Sequence, residues 1–163
     1  MSSELPDIRP ADLQDPRVVD LLARHLATMR SQSPAESVHA LDLEQLRAPG
    51  LSTWAVWSGG ELQAVGALKR LSSRHGEIKS MHTRASARRR GVASALLAHI
   101  FTTARAEGLS RLSLETGSQP EFAAARALYA RHGFCECGPF ADYRPDPNSV
   151  FMTLELESTH VTT

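Results

Sequence analysis

A chain of 163 residues is the size of one domain, and its folded form buries roughly 70% of the surface that the unfolded form exposes. Eighteen Lys and Arg balance eighteen Asp and Glu, so no chain-wide field draws the protein to nucleic acid or to an anionic membrane. No apolar run approaches the ~20 residues of a membrane span, and no N-terminal stretch has the charged-then-apolar pattern of a secretory leader. Cys135 and Cys137 stand two apart, which is the spacing of neither a metal knuckle nor a C-x-x-C redox pair. The sequence therefore reads as a cytoplasmic protein with structural thiols and no metal.

Leu5 to Arg9 forms a short strand. Asp15 as N-cap and Pro16 at the first helical position then open a helix whose Val18, Leu21, Leu22, Leu26 and Met29 repeat every three or four residues, the pattern of one buried face. His25 lies near that face and is expected to be packed and hydrogen-bonded. Ser33 with Glu36, and Asp42 with Gln45, stand in capping-box register and extend a broken helical region to Arg47. Pro49-Gly50 ends it. Leu51 to Trp57 is β-branched and aromatic, Ser58-Gly59-Gly60 turns the chain, and Glu61 to Leu71 completes a hairpin. Glu77 to Thr83 is a third extended run in this region.

From Val92 a helical pattern begins again, with Val92, Leu96, Leu97, Ile100, Phe101 and Ala104 on one face and a stop at Gly108. Arg111 to Glu115 is a short strand. Ser118 and Glu121 are in capping-box register around Pro120, and the helix they open runs through Tyr129 to a stop at Gly133. Phe134 to Gly138 and Ser149 to Leu156 are strands. This order predicts an α/β fold, a mixed, mainly antiparallel central sheet of about seven strands flanked by about four helices. Residues 1–157 form one domain, and 158–163 a polar tail.

The functional signal is densest at Arg88, Arg89, Arg90, Gly91, Val92, Ala93 and Ser94. Three cations precede a glycine and the start of a helix, so guanidinium donors, backbone N–H groups and a helix dipole converge on one spot. By themselves these residues fit an anion site or a solvated basic run.

Their setting decides. Glu77 to Thr83 followed by Arg88-x-x-Gly91-x-Ala93 resembles motif A of the GNAT superfamily of N-acetyltransferases, and Ala125-x-x-Leu128-Tyr129-x-x-x-Gly133-Phe134 resembles its motif B. Ser33 to Leu41, Leu114 to Ser118 and Phe140 to Tyr143 further resemble the bacterial YsnE-like branch. The resemblance spans nearly the whole chain. It implies acetyl-CoA as acyl donor, with the pyrophosphate on the N–H groups of Arg89 to Ser94, and the backbone of Met81, His82 and Thr83 on the pantetheine arm and acetyl carbonyl. An N–H there would serve as a small oxyanion hole. In one place the motif is broken: Phe122 stands where an asparagine often contacts the cofactor.

By the same resemblance Tyr129 lies beside the thioester sulfur as general acid. Glu77, eleven residues before Arg88, stands in the register of a general base, and Glu115 with a water chain is its competitor. The resemblance puts the acceptor between Met29–Leu41 and Phe140–Ser149, with Glu36, His39, Asp142 and Tyr143 as polar contacts. That mixture suits a small or amino-acid-like primary amine, attacked directly in a ternary complex. A homodimer is an option that no residue specifies. The rival readings are a module that senses acetyl-CoA without turnover and a nucleic-acid binder using Arg88 to Arg90, which the zero net charge disfavours.

Overall fold

The computed structural model describes residues 6–156; the start at Leu5 and the tail from Ser158 lie outside them. Seven strands and four helices follow one another as β1 (Asp7–Pro10), α1 (Pro16–Gln32), α2 (Leu43–Leu46), β2 (Leu51–Ser58), β3 (Glu61–Arg70), β4 (His75–Thr83), α3 (Val92–Ala106), β5 (Arg111–Gly117), α4 (Ala123–Arg131), β6 (Cys135–Cys137) and β7 (Ser149–Glu155). The strands build one sheet in the order β1-β2-β3-β4-β5-β7-β6. Every neighbouring pair is antiparallel except β4 with β5.

Each face of the sheet has its own core. Leu96, Leu97, Ile100 and Ala104 of α3 are fully buried against Leu68, Ile78, Leu112 and Leu114. Burying each large aliphatic side chain contributes about 2 kcal/mol, so the three-four spacing along α3 is what pins it to the sheet. Val18, Leu21 and Leu22 of α1 join Leu46 of α2 and Ala55, Val65 and Ala67 on the opposite face.

The caps show where local signals held and where tertiary contacts overrode them. The Asp15 carboxylate accepts from the Arg17 N–H at the start of α1, and Asp42 with Gln45 forms both bonds of a capping box. Ser33 instead closes α1, its N–H donating to the Met29 carbonyl, and only a three-residue 3₁₀ turn, Ala35–Ser37, follows. The Ser118 hydroxyl donates to the Pro147 carbonyl at 2.6 Å, which ties the end of β5 to the β6–β7 loop in place of the expected cap. A 3₁₀ turn at Pro120–Phe122 precedes α4.

The parallel pair β4–β5 is short. Its register runs only from His75 opposite Arg111 to Glu77 opposite Ser113. Beyond Glu77 the two strands part, and a cleft of about 680 Å³ opens between them.

Candidate active site

One half of the cleft is built by β4 and the start of α3. The register between β3 and β4 slips between Val65 and Ala67, an extra residue being accommodated in β4 where Ser80 takes a left-handed φ of 57°. Such a bulge frees backbone groups from the ladder and turns the strand. Opposite it stands Gly66, where a Cβ would come within 2.5 Å of Met81 Sδ and 2.9 Å of Leu96 Cδ2. A side chain at position 66 would require Met81 and Leu96 to shift.

At the mouth of this half, Gly91 is the N-cap of α3 with φ +77°. The N–H groups of Val92, Ala93 and Ser94 occupy the first turn, where a helix offers no internal acceptor. Arg88, Arg89, Gly91, Val92, Ala93 and Ser94 all line the cleft. Arg90 is exposed and outside it.

The other half carries charge. Lys79 Nζ donates to Glu77 Oε2 at 3.1 Å and to the Tyr143 hydroxyl at 2.9 Å, and that hydroxyl in turn donates to Glu77 Oε2. The side chains of Lys79 and Glu77 are 9% and 4% exposed. Burial and the neighbouring Glu77 carboxylate push the Tyr143 phenol far up, so it remains a donor. The ring of Tyr143 meets His39 edge-on at 4.9 Å, and burial pulls the His39 imidazole down towards its neutral form.

Glu115 faces the same space from β5. Burial raises its carboxyl above the ordinary carboxylate range. Ser37 donates to Asp146 at 2.6 Å, and Asn148 Nδ2 donates to Ser37 at 3.4 Å; these bonds hold the two loops of this half together.

Tyr129 is buried at the floor, its phenol pushed far up by desolvation, and is thus protonated and a hydrogen-bond donor at neutral pH. On the wall formed by α1, His25 Nδ1 lies 3.2 Å from His82 Nδ1. Burial takes His25 down to about 3 and lowers His82 as well, so both rings are neutral.

Of the residues singled out from sequence, Glu77, Glu115, Met81, His82, Thr83, His39, Tyr129 and Tyr143 line this one cleft with the α3 cradle. Glu36 and Asp142 are exposed and do not line it. Lys79 was not among the candidates from sequence, although its place two residues after Glu77 on a strand puts both on one face. Nor were Ser80 and Ser37, which no local pattern marks. Among the described residues no group of three or more His, Cys, Asp or Glu could hold a metal ion, and no helix is long and apolar enough to cross a membrane.

A parted parallel strand pair, a bulge at the fork and a helix N-terminus at its mouth form a specific combination, and comparison with known proteins agrees with it. The family model for the acetyltransferase (GNAT) family matches residues 18–134. The chain belongs to that family. It is 54% identical over 149 residues to the uncharacterized N-acetyltransferase YsnE of Bacillus subtilis, covering 91% of this chain and 99% of that one. With the uncharacterized N-acetyltransferase YedL of Escherichia coli it shares 52% over 149 residues, covering 91% and 94%. A solved structure from Klebsiella pneumoniae, assigned as an acyl-CoA N-acyltransferase, superposes with a TM-score of 0.77 at 28% identity, covering 94% of this chain and 99% of that one.

Acyl-CoA use, implied by GNAT membership, suits the residues present. A Cβ on Gly91 would meet nothing within 4 Å, so the approach to the first-turn N–H groups is open to a phosphate, with Arg88 and Arg89 beside it.

Proposed function

We propose that this GNAT protein transfers an acetyl group from acetyl-CoA to the primary amine of a small or amino-acid-like acceptor, by direct attack in a ternary complex. The observation that carries the reading is the continuity of the cleft. A single space joins the cradle at Gly91–Ser94, the bulge at Ser80, the phenol of Tyr129 and the half-buried carboxylate of Glu115.

Acetyl-CoA, when bound, supplies an activated thioester carbonyl. The protein's residues then have three tasks: take the ammonium proton, polarise the carbonyl and protonate the thiolate. At the bulge Ser80 and Met81 have no partner in the β3 register, and a backbone N–H there suits the second task. Tyr129, which lines the same space and stays protonated, suits the third as a hydrogen-bond donor to the developing thiolate.

For the first, the two glutamates differ in what surrounds them. Glu77 Oε2 is already taken up by a lysine and a phenol, which ties that carboxylate to the β6–β7 loop. Glu115 has no salt bridge among the described residues and a raised proton affinity, which brings it nearer to the working range of a general base. We assign the base to Glu115 and the placement of the loop to Glu77. His39 and Tyr143 border the acceptor.

Thiol release from acetyl-CoA, measured against a panel of primary amines, tests the reading. The wild type is expected to turn over at least one amine, and Glu115→Gln to lose most of that turnover. Binding of coenzyme A with no turnover on any amine would favour the sensing module instead.

A further inference from the structure

The first turn of α3 has a contact that the catalytic reading does not use. Ser94, third residue of that helix, lines the cleft, and its Oγ lies 2.9 Å from Nε2 of His132. His132 is the C-cap of α4 and comes from the other side of the crossover. Its ring stands edge-on to Phe101 at 6.1 Å, and Phe101 packs in turn on Phe134. The imidazole is therefore held by packing with one nitrogen aimed at a hydroxyl in the cradle.

The proton in this bond has two arrangements, and they differ in consequence. If the Ser94 hydroxyl donates to an unprotonated Nε2, its only hydrogen is consumed. If Nε2–H donates to Oγ, the hydroxyl hydrogen stays free to point into the cleft. The second arrangement adds a side-chain donor to the first-turn N–H groups, and a hydroxyl already accepting a hydrogen bond is a stronger donor.

We infer that His132 is a positioning residue for the acyl donor: through an Nε2–H bond it turns the Ser94 hydroxyl outward as a hydrogen-bond donor to the pyrophosphate of coenzyme A. The inference rests on the proposed cradle, but it concerns a residue that touches no ligand itself. It also predicts a chemical distinction that packing alone would not make. A side chain at 132 able to donate from the Nε2 position preserves the effect, and one that only fills space does not.

The test is calorimetry of coenzyme A binding to the wild type, Ser94→Ala, His132→Phe, His132→Gln and the Ser94→Ala/His132→Phe double variant, with thermal midpoints recorded for each. Phe keeps the ring against Phe101, and Gln restores an N–H near Nε2. Ser94→Ala and His132→Phe are each expected to lose about tenfold in affinity, the scale of one hydrogen bond to a charged group, and the double variant no more than either. His132→Gln is expected within about twofold of the wild type, since its N–H replaces the same donor. Turnover of S-acetylpantetheine, which lacks the pyrophosphate, is expected to be unchanged in His132→Phe and His132→Gln, whose substituted residue lies outside the cleft lining.

Wild-type affinity in His132→Phe, additive losses in the double variant, or a Gln variant as weak as Phe would each overturn the inference and leave the cradle standing. A wild type that binds no coenzyme A would overturn the cradle and this inference together.

Discussion

Lys79 and Glu77 form an ion pair, Nζ to Oε2 at 3.1 Å, with both side chains almost wholly withdrawn from water. Two residues apart on β4, they share the face that the β6–β7 loop covers, and the Tyr143 hydroxyl bonds to both. The loop is thus fastened at its centre to charges in the floor of the site. Removing one charge of such a pair leaves the other buried and unmatched, at a cost of about 3 kcal/mol, whereas replacing both with apolar groups is often close to neutral. Glu77→Gln is therefore expected to be less stable than the Glu77→Gln/Lys79→Met double variant in urea denaturation. A double variant at least as unstable as the single would show that the pair does not hold the loop.

The Glu115 assignment makes a prediction of opposite character, seen in rate and not in stability. Glu115→Gln is expected to lower kcat about 100-fold, the low end for loss of a positioned general base. In the wild type kcat/KM is expected to fall as the pH drops through the raised value of Glu115, where the proposed base becomes protonated. That acidic limb is expected to lie above the ordinary glutamate value and to vanish from the residual activity of the variant. The same shift acts on stability with a fixed sign. Burial raises the folded-state value, so the stabilisation from the bound proton is complete below the unfolded value and is lost as pH rises through the folded one. Persistence of the acidic limb in Glu115→Gln would reassign the base.

Which parts of this could be read without coordinates follows from the range of the interactions. Hydrophobic period and glycine punctuation are local, so α1, α3, the β2–β3 hairpin and the start of α3 at Val92 were legible. The capping pattern at Ser33 and Ser118 was equally local in appearance but was outcompeted, at Ser118 by a carbonyl 29 residues away. Nothing in the sequence around Glu77 announces that residue 143 closes onto it, 66 positions on. A glutamate in the register of a base and one committed to an ion pair look the same until its partners are known. Glu36 and Asp142 read as acceptor contacts because their loops do wall the cleft, yet their own side chains point to solvent.

Gly91 separates backbone strain from ligand contact. Its φ of +77° disfavours any L side chain, although the space around it is open. Gly91→Ala is expected to cost about 1 kcal/mol from the left-handed conformation alone. Gly91→Glu adds a negative charge at the mouth of the cradle. It is expected to keep the circular dichroism of the wild type and to lose measurable coenzyme A binding. Unchanged affinity by calorimetry would move the phosphate site elsewhere.

The neutral pair His25–His82 sets an acid limit on the fold. Burial lowers His25 from its ordinary value to about 3, with His82 as a second, smaller cause. The unfolded chain therefore binds a proton at a pH where the folded one does not, and stability falls as pH drops from the ordinary histidine value towards 3. At pH 5 the deficit from His25 alone amounts to about 2 kcal/mol, at roughly 1.4 kcal/mol per unit of pH below 6.5. His82 is lowered by burial and by Arg88 and Arg24, and so contributes with the same sign. His25→Gln removes the titrating group and can keep a hydrogen bond to His82, which makes it the informative substitution. Its thermal midpoint is expected to fall less than that of the wild type between pH 7 and pH 5. An equal fall in both proteins would place the acid sensitivity in other groups and contradict a neutral His25.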